Sequence, residues 1–358
     1  MKILMLADGG CEHTLRFQAE AARQGAEVVL ASLEPGETVD IRLPKKFGIA
    51  ALDYFFLSGK LDKIVRRVEP DLVNPQFVCS YGSTVALSGV WSRYPVLMHA
   101  LGSDILVSPR KSWLHRRRVV HALSRCPDLL VDSEYLAAEI KKYNSDVRCH
   151  IIAWGADEAA FEMYDNKKSF DMERNRPLRI LVPRPHNPVY NNDMIFTALA
   201  GLINDRRVTV TFPARGDRYE AFRKLAEAAC PAGGIDYYDN MPREKYVEFM
   251  AGFDIYLSAS RSDSSPASLI EAMAIGLVPV VADIEGVREW MDKDSGAVFQ
   301  PDSNSALKDA IVRLLADDID VLSIRKNNHD KARRRGRFVE NVKETLDLME
   351  KAVADARR

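Results

Sequence analysis

Two carboxylates separated by seven residues, Asp263 and Glu271, bracket the run Ser264-Ser265-Pro266-Ala267-Ser268, which leads into Leu269-Ile270-Glu271-Ala272-Met273-Ala274-Ile275-Gly276. A helix starting there offers unpaired backbone amides, a natural seat for a diphosphate formed from Ala267, Ser268 and Leu269. Ser265 and Pro266 are the expected cap and first helical residue. Glu271 falls among apolar neighbours, where a carboxylate without a partner is costly. Ser268 and Glu271 also have the spacing of a capping box, so the glutamate serves either a ligand or its own helix. Near the start of the chain, Asp8-Gly9-Gly10 allows close backbone approach by a ligand but lacks the third glycine of a dinucleotide fingerprint. Pro183-Arg184 ends a predicted strand, and an arginine fork suits a phosphate.

These residues need strand ends and helix starts to hold them. Strands are expected over 2–6, 26–31, 72–77, 96–100, 129–133 and 149–153, alternating with helices over 12–24, 84–91, 113–124 and 134–143. Between 157 and 179 the chain turns polar and charged and reads as a connection between domains. Alternation restarts with strands over 179–183, 208–213, 235–238, 255–258, 278–282 and 297–300, and helices over 193–203, 218–229, 243–250, 268–275 and 305–316. The expected class is α/β: two Rossmann-like doubly wound domains, 1–165 and 166–337, facing a cleft. An amphipathic C-terminal helix, 338–358, is expected to pack back on the first domain. In such sheets ligands bind beyond the carboxyl ends of the strands.

The 358 residues are 47% hydrophobic and 28% charged, enough for two cores and incompatible with a disordered or collagen-like chain. Fifty basic against 51 acidic residues give a formal charge of -1, so no global field recruits nucleic acid. The five cysteines are scattered without metal or redox spacing. The opening Met1 to Asp8 is too short for the core of a signal peptide, and a reducing cytosol is the expected setting. Asp292-Lys293-Asp294 has the form of a two-aspartate metal motif but reads as a solvent turn. Trp113-Leu114-His115-Arg116-Arg117-Arg118 mixes aromatic, apolar and basic residues; it suits an anionic acceptor or lipid headgroups, though a solvated basic face is the commoner outcome. Arg333-Arg334-Arg335 reads as a helix flank.

In order and spacing, these motifs resemble the retaining glycosyltransferases of the GT-B fold, glycosyltransferase family 4 (glycosyl transferases group 1). Asp263 and Glu271 match its acid, seven residues, Glu signature, followed by Ala-Met-Ala-Ile-Gly276, Pro279-Val-Val-Ala282 and Gly286 to Glu289. Leu101-Gly102-Ser103-Asp104, Asp132-Ser133-Glu134, Ile152 to Asp157 and Pro183-Arg184 look like further family segments in the right order. The resemblance implies a nucleotide diphosphate sugar as donor, with a UDP-sugar favoured over GDP-mannose. Glu271 would bind ribose, Asp263 the transferred sugar, and Arg184 with the helix start the diphosphate. Base contacts fall near Asn240 and Met241, Asp104 in the first domain's Gly102-Ser103-Asp104 turn joins Asp263 and Arg184 as a catalytic candidate, and Gly9 and Gly10 are candidates for donor binding. The implied acceptor is a saccharide or lipid-linked saccharide, with no metal or other cofactor. Three departures stand out: Asp263 replaces the usual Glu, Val189 a lysine that Arg215 would have to stand in for, and Leu101 a histidine. His99, three residues before Gly102, reads as structural. Competing readings are a GT-B epimerase or phosphorylase, and a non-catalytic nucleotide-sugar-binding component of a polysaccharide assembly complex.

Overall fold

Lys2–Leu6 forms strand β1, and its unbroken apolar run follows from its position inside a parallel sheet covered on both faces. It pairs with β2 (Glu27–Ser32), which β3 (Ile41–Arg42) extends, and on its other side with β4 (Leu72–Pro75), giving the order β3-β2-β1-β4. A second parallel sheet follows, β5 (Met98–His99), β6 (Asp128–Val131) and β7 (Arg148–Ile151). Bridges from Val73 to Val96 and from Gln76 to His99 join it to β4, and the Asn74 amide donates to Leu97 O at 2.7 Å. The 96–100 strand of the sequence reading is therefore a two-residue strand flanked by single bridges.

The computed structural model describes residues 1–166, 176–316 and 319–357. They divide into two units, Met1–Trp154 with Val339–Arg358, and Gly155–Phe338. The helix Phe338–Ala356 thus belongs almost wholly to the first unit, where Asn341 donates to Ala153 O at 2.8 Å and the Gln24 amide donates to Val339 O at 2.9 Å.

The second unit holds one parallel sheet of β8 (Leu178–Leu181), β9 (Val208–Pro213), β10 (Ile235–Tyr238), β11 (Ile255–Ser258), β12 (Val278–Ala282) and β13 (Ala297–Phe299). Its order is β10-β9-β8-β11-β12-β13. Connections run outward in opposite directions from β8 and β11, so the loops after these two strands part and leave a crevice at the switch point. Arg184 follows β8 and Asp263 follows β11.

Three helices of eight or more residues depart from the sequence reading. Ala50–Val68 was not anticipated, Glu158–Asp165 occupies what read as the connection, and Val321–Arg335 contains the basic run that read as a flank. Residues 167–175 of the expected connection lie outside the described residues, and β8 begins before its end, at Leu178.

Candidate functional site

The loop after β11 carries Asp263 to the switch point, and the helix Ala267–Ile275 rises from its end, closed by Gly276 in the left-handed conformation at φ 86°. Pro266 is the N-cap, and it supplies no side-chain bond. The expectation that Ser265 caps this helix is corrected: its hydroxyl accepts from Trp290 Nε1 at 2.9 Å, a buried contact that ties the loop to the 285–291 turn. The capping box between Ser268 and Glu271 does not form either. Ser268 Oγ meets the Tyr256 hydroxyl at 3.0 Å, and Glu271 turns away to an ion pair with Arg243. The Leu269 amide bonds to Pro266 O at 2.9 Å, so Ala267 and Ser268 are the helix-start amides directed outward.

Arg184 and Asp263 form an ion pair in which both side chains are largely buried. Burial, the largest single influence, pulls the guanidinium down, but Asp263 together with Tyr256, Tyr190 and Tyr246 holds the cation above its ordinary value. Arg184 also lies over the Tyr190 ring, 5.2 Å from its centroid, and Asn192 fixes its backbone by donating to Arg184 O at 2.9 Å. The second oxygen of Asp263 accepts the Ser264 amide at 3.0 Å. Gly286 lies against this loop so closely that a Cβ there would stand 2.0 Å from Asp263 O.

Glu271 is 4% exposed, and its partner Arg243 comes from the Arg243–Ala251 helix. The same guanidinium pairs with Asp157, and the two carboxylates outweigh burial to hold Arg243 protonated. Arg243 is the site residue that sequence reading missed. The one signal for it was the need of a buried glutamate for a cation.

Asn240 and Arg215 meet, with Arg215 Nη1 donating to Asn240 Oδ1 at 2.6 Å beside the Tyr238 ring, and Met241 follows them half-buried. Gly216 explains how Arg215 reaches there: at φ 118° its absent Cβ leaves room for the His186 backbone, whose amide bonds to Arg215 O at 2.9 Å. These residues gather on the loops after β8, β9 and β10.

In the first unit, the Gly9 amide is engaged by Ser32 Oγ at 2.9 Å, and a Cβ at Gly9 would strike Val39 at 2.3 Å. That glycine is explained by packing of the 32–39 loop. The Gly10 amide bonds to Asp8 Oδ1 at 2.9 Å, closing the turn. Asp104 is fully buried and accepts the Val78 amide at 2.7 Å and the Leu101 amide at 3.0 Å, bracing the turn after β4. Burial raises its carboxyl to about 6 against the pull of those amides. His99 stacks on Trp154 with centroids 4.8 Å apart, and burial, aided by His13, lowers it to about 3. Asp292 accepts from the Asp294 amide at 2.9 Å and the Ser295 hydroxyl at 2.6 Å and pairs with Lys331, the geometry of a turn.

The family described as "Glycosyl transferases group 1" matches residues 164–335, and "Glycosyl transferase 4-like" matches residues 2–133. The "Putative teichuronic acid biosynthesis glycosyltransferase TuaC" of Bacillus subtilis (strain 168) is 22% identical over 253 residues, covering 69% of this chain and 62% of TuaC. The match thus spans about three fifths of that relative's length. Sucrose-phosphate synthase from Thermosynechococcus elongatus superposes with a TM-score of 0.80 at 13% identity over 99% of this chain and 100% of that one. Anabaena HepE in complex with UDP-glucose gives 0.79 at 18% identity over 98% and 100%.

Proposed function

We propose that the chain is a GT-B glycosyltransferase, a reading that its two family matches support, and that it carries out a retaining, metal-independent sugar transfer. The donor is a nucleotide diphosphate sugar, a UDP-sugar, and the acceptor a saccharide or lipid-linked saccharide in polysaccharide or glycoconjugate synthesis. The observation that carries this reading is the meeting of Arg184 and Asp263 beside the start of the Ala267–Ile275 helix, where a fixed cation and outward amides await negative charge.

As the bond between the anomeric carbon and the diphosphate breaks, charge grows on the leaving phosphate oxygen, which Arg184 and the Ala267 and Ser268 amides stabilise. The acceptor hydroxyl attacks on the same face and its proton passes to that oxygen, so the products are the glycosylated acceptor and UDP. Asp263 holds the sugar hydroxyls, and Glu271, oriented by Arg243, holds the ribose. The test is UDP release with and without acceptor sugars, with the anomeric configuration of the product read by NMR. Asp263→Ala and Glu271→Ala are expected to abolish transfer. An inverted product, or full activity in both variants, refutes the reading.

A further inference from the structure

Tyr256 lies within β11, a strand buried along its whole length, and none of its side chain reaches solvent. An apolar ring would fill that space, whereas a phenol brings an oxygen whose burial is costly unless it is bonded. Two serine hydroxyls meet it. Ser268 Oγ, in the first turn of the Ala267–Ile275 helix, stands 3.0 Å away, and Ser258, two residues along the strand, hydrogen-bonds to it as well. Ser258 Oγ in turn meets Ser260 Oγ at 2.9 Å, and both of these serines are buried. Four hydroxyls therefore form a chain from the loop after β11 to the helix start. The ion pair is close by: Arg184 favours ionisation of Tyr256 and Asp263 opposes it, while burial, the largest influence, keeps the phenol protonated.

Each hydroxyl carries one proton and two lone pairs, so such a chain can run in either direction. When it runs toward the helix, Ser258 donates to Tyr256, Tyr256 donates to Ser268 Oγ, and the Ser268 proton is left over. Among the described residues Ser268 Oγ has no partner besides Tyr256, and it does not bond back to a carbonyl of the preceding turn, the usual outlet for a helical serine. The spare proton belongs to the residue whose amide, with that of Ala267, is directed outward from the helix start. A negative oxygen placed there selects this direction at little cost, because hydroxyls rotate without moving the backbone and each bond polarises the next.

We infer that the Ser268 hydroxyl is a further donor to the leaving diphosphate, and that Tyr256 is the positioning residue that engages its oxygen so that its proton serves the ligand. The inference rests on the diphosphate donor of the proposed reaction and adds two side chains to that seat. As charge grows on the leaving oxygen, Ser258, Tyr256 and Ser268 donate toward it in series, and each keeps its own proton. A neutral hydroxyl adds a hydrogen bond there without a second buried charge to desolvate.

The test is calorimetric titration of the full chain with UDP and with uridine, alongside UDP-sugar turnover. Ser268→Ala and Tyr256→Phe are each expected to weaken UDP binding about 10-fold and to lower kcat by about the same factor, while uridine, which lacks the phosphates, binds as it does to the parent. The double variant should be no worse than either single one, because both substitutions cut the same chain. Ser268→Thr keeps the hydroxyl and should bind UDP like the parent. Circular dichroism and melting check that Tyr256→Phe keeps its packing; should it melt early, the Ser268 variants carry the test. Ser268→Ala with the UDP affinity and turnover of the parent overturns the inference. So do equal losses for uridine, losses that add in the double variant, or a Ser268→Thr that binds no better than Ser268→Ala. A parent that binds no UDP ends the donor reading and this inference together, whereas a parent that binds UDP and is matched by Ser268→Ala ends this inference alone.

Discussion

Arg243 holds Glu271 and Asp157 together, one guanidinium between two carboxylates contributed by separate helical segments of the second unit. Removing the cation leaves like charges in a largely buried space. Arg243→Met is expected to cost about 3 kcal/mol in denaturant unfolding, and adding Glu271→Gln to recover part of it. Additive losses would show that the two side chains do not interact.

Arg184 is fixed in place before any ligand arrives, so its contribution should appear in turnover. Arg184→Lys keeps a charge but loses the fork. We expect kcat for UDP-sugar turnover to fall about 100-fold, with a smaller change in donor KM. A loss confined to KM would place Arg184 outside the reacting diphosphate.

Gly286 gives a separate handle on Asp263. Since a Cβ at 286 would stand 2.0 Å from Asp263 O, Gly286→Ala must displace the acidic loop. A shift on the scale of an ångström should lower kcat/KM about 100-fold while circular dichroism stays native. Activity equal to the parent would show that the position of Asp263 is not critical.

His99 makes stability depend on pH. Burial lowers it to about 3 in the folded chain against about 6.5 when unfolded, so its neutral form is favoured by folding. That contribution is complete above pH about 6.5 and declines as pH falls toward 3, reaching a loss of about 2 kcal/mol near pH 5. His186, lowered to about 4, acts in the same direction. His99→Phe, which keeps the stack on Trp154, should remove its share of the acid loss in urea melts from pH 7 to 5. An unchanged pH profile would contradict the assignment.

Asp104 has the opposite sign from a salt-bridged carboxylate. Its carboxyl is raised to about 6, so the folded state binds its proton more tightly than the unfolded state, and stability declines as pH rises from about 4 to 6. Asp104→Asn should remove that slope. Because the same window carries the His99 loss, the comparison belongs in the His99→Phe background.

The strand-and-helix alternation was legible because parallel strands buried on both faces are continuous apolar runs punctuated by glycine and proline. Val321–Arg335 was not legible as a core helix for a concrete reason. Its buried residues, Val321, Ile324, Arg325, Asn328, His329 and Ala332, have perfect helical spacing, but half are polar. Asn328 donates to Ser295 O at 2.8 Å and His329 Nδ1 meets Ala274 O at 2.7 Å, so hydrogen bonds replace apolar contact there. Ala50–Val68 lacks a side-chain cap and contains Ser58-Gly59, which hid its period. At the site, Asp263, Glu271 and Arg184 stood out by type and position after strands. Trp290 and Arg243 did not, and Gly286, though part of a family-like segment, gave no sign of its contact with Asp263, since each acts across a sequence distance that no local pattern records.

The helix Phe338–Ala356 completes a unit whose other residues end at Trp154, with all of the second unit between them. The second unit is therefore contiguous in synthesis and can close its sheet as soon as β13 and the following helices emerge. The first, begun earlier, waits for its final helix until the second has been made. The half made first is finished last, and during translation it must persist with the surface around Gln24 and Ala153 uncovered.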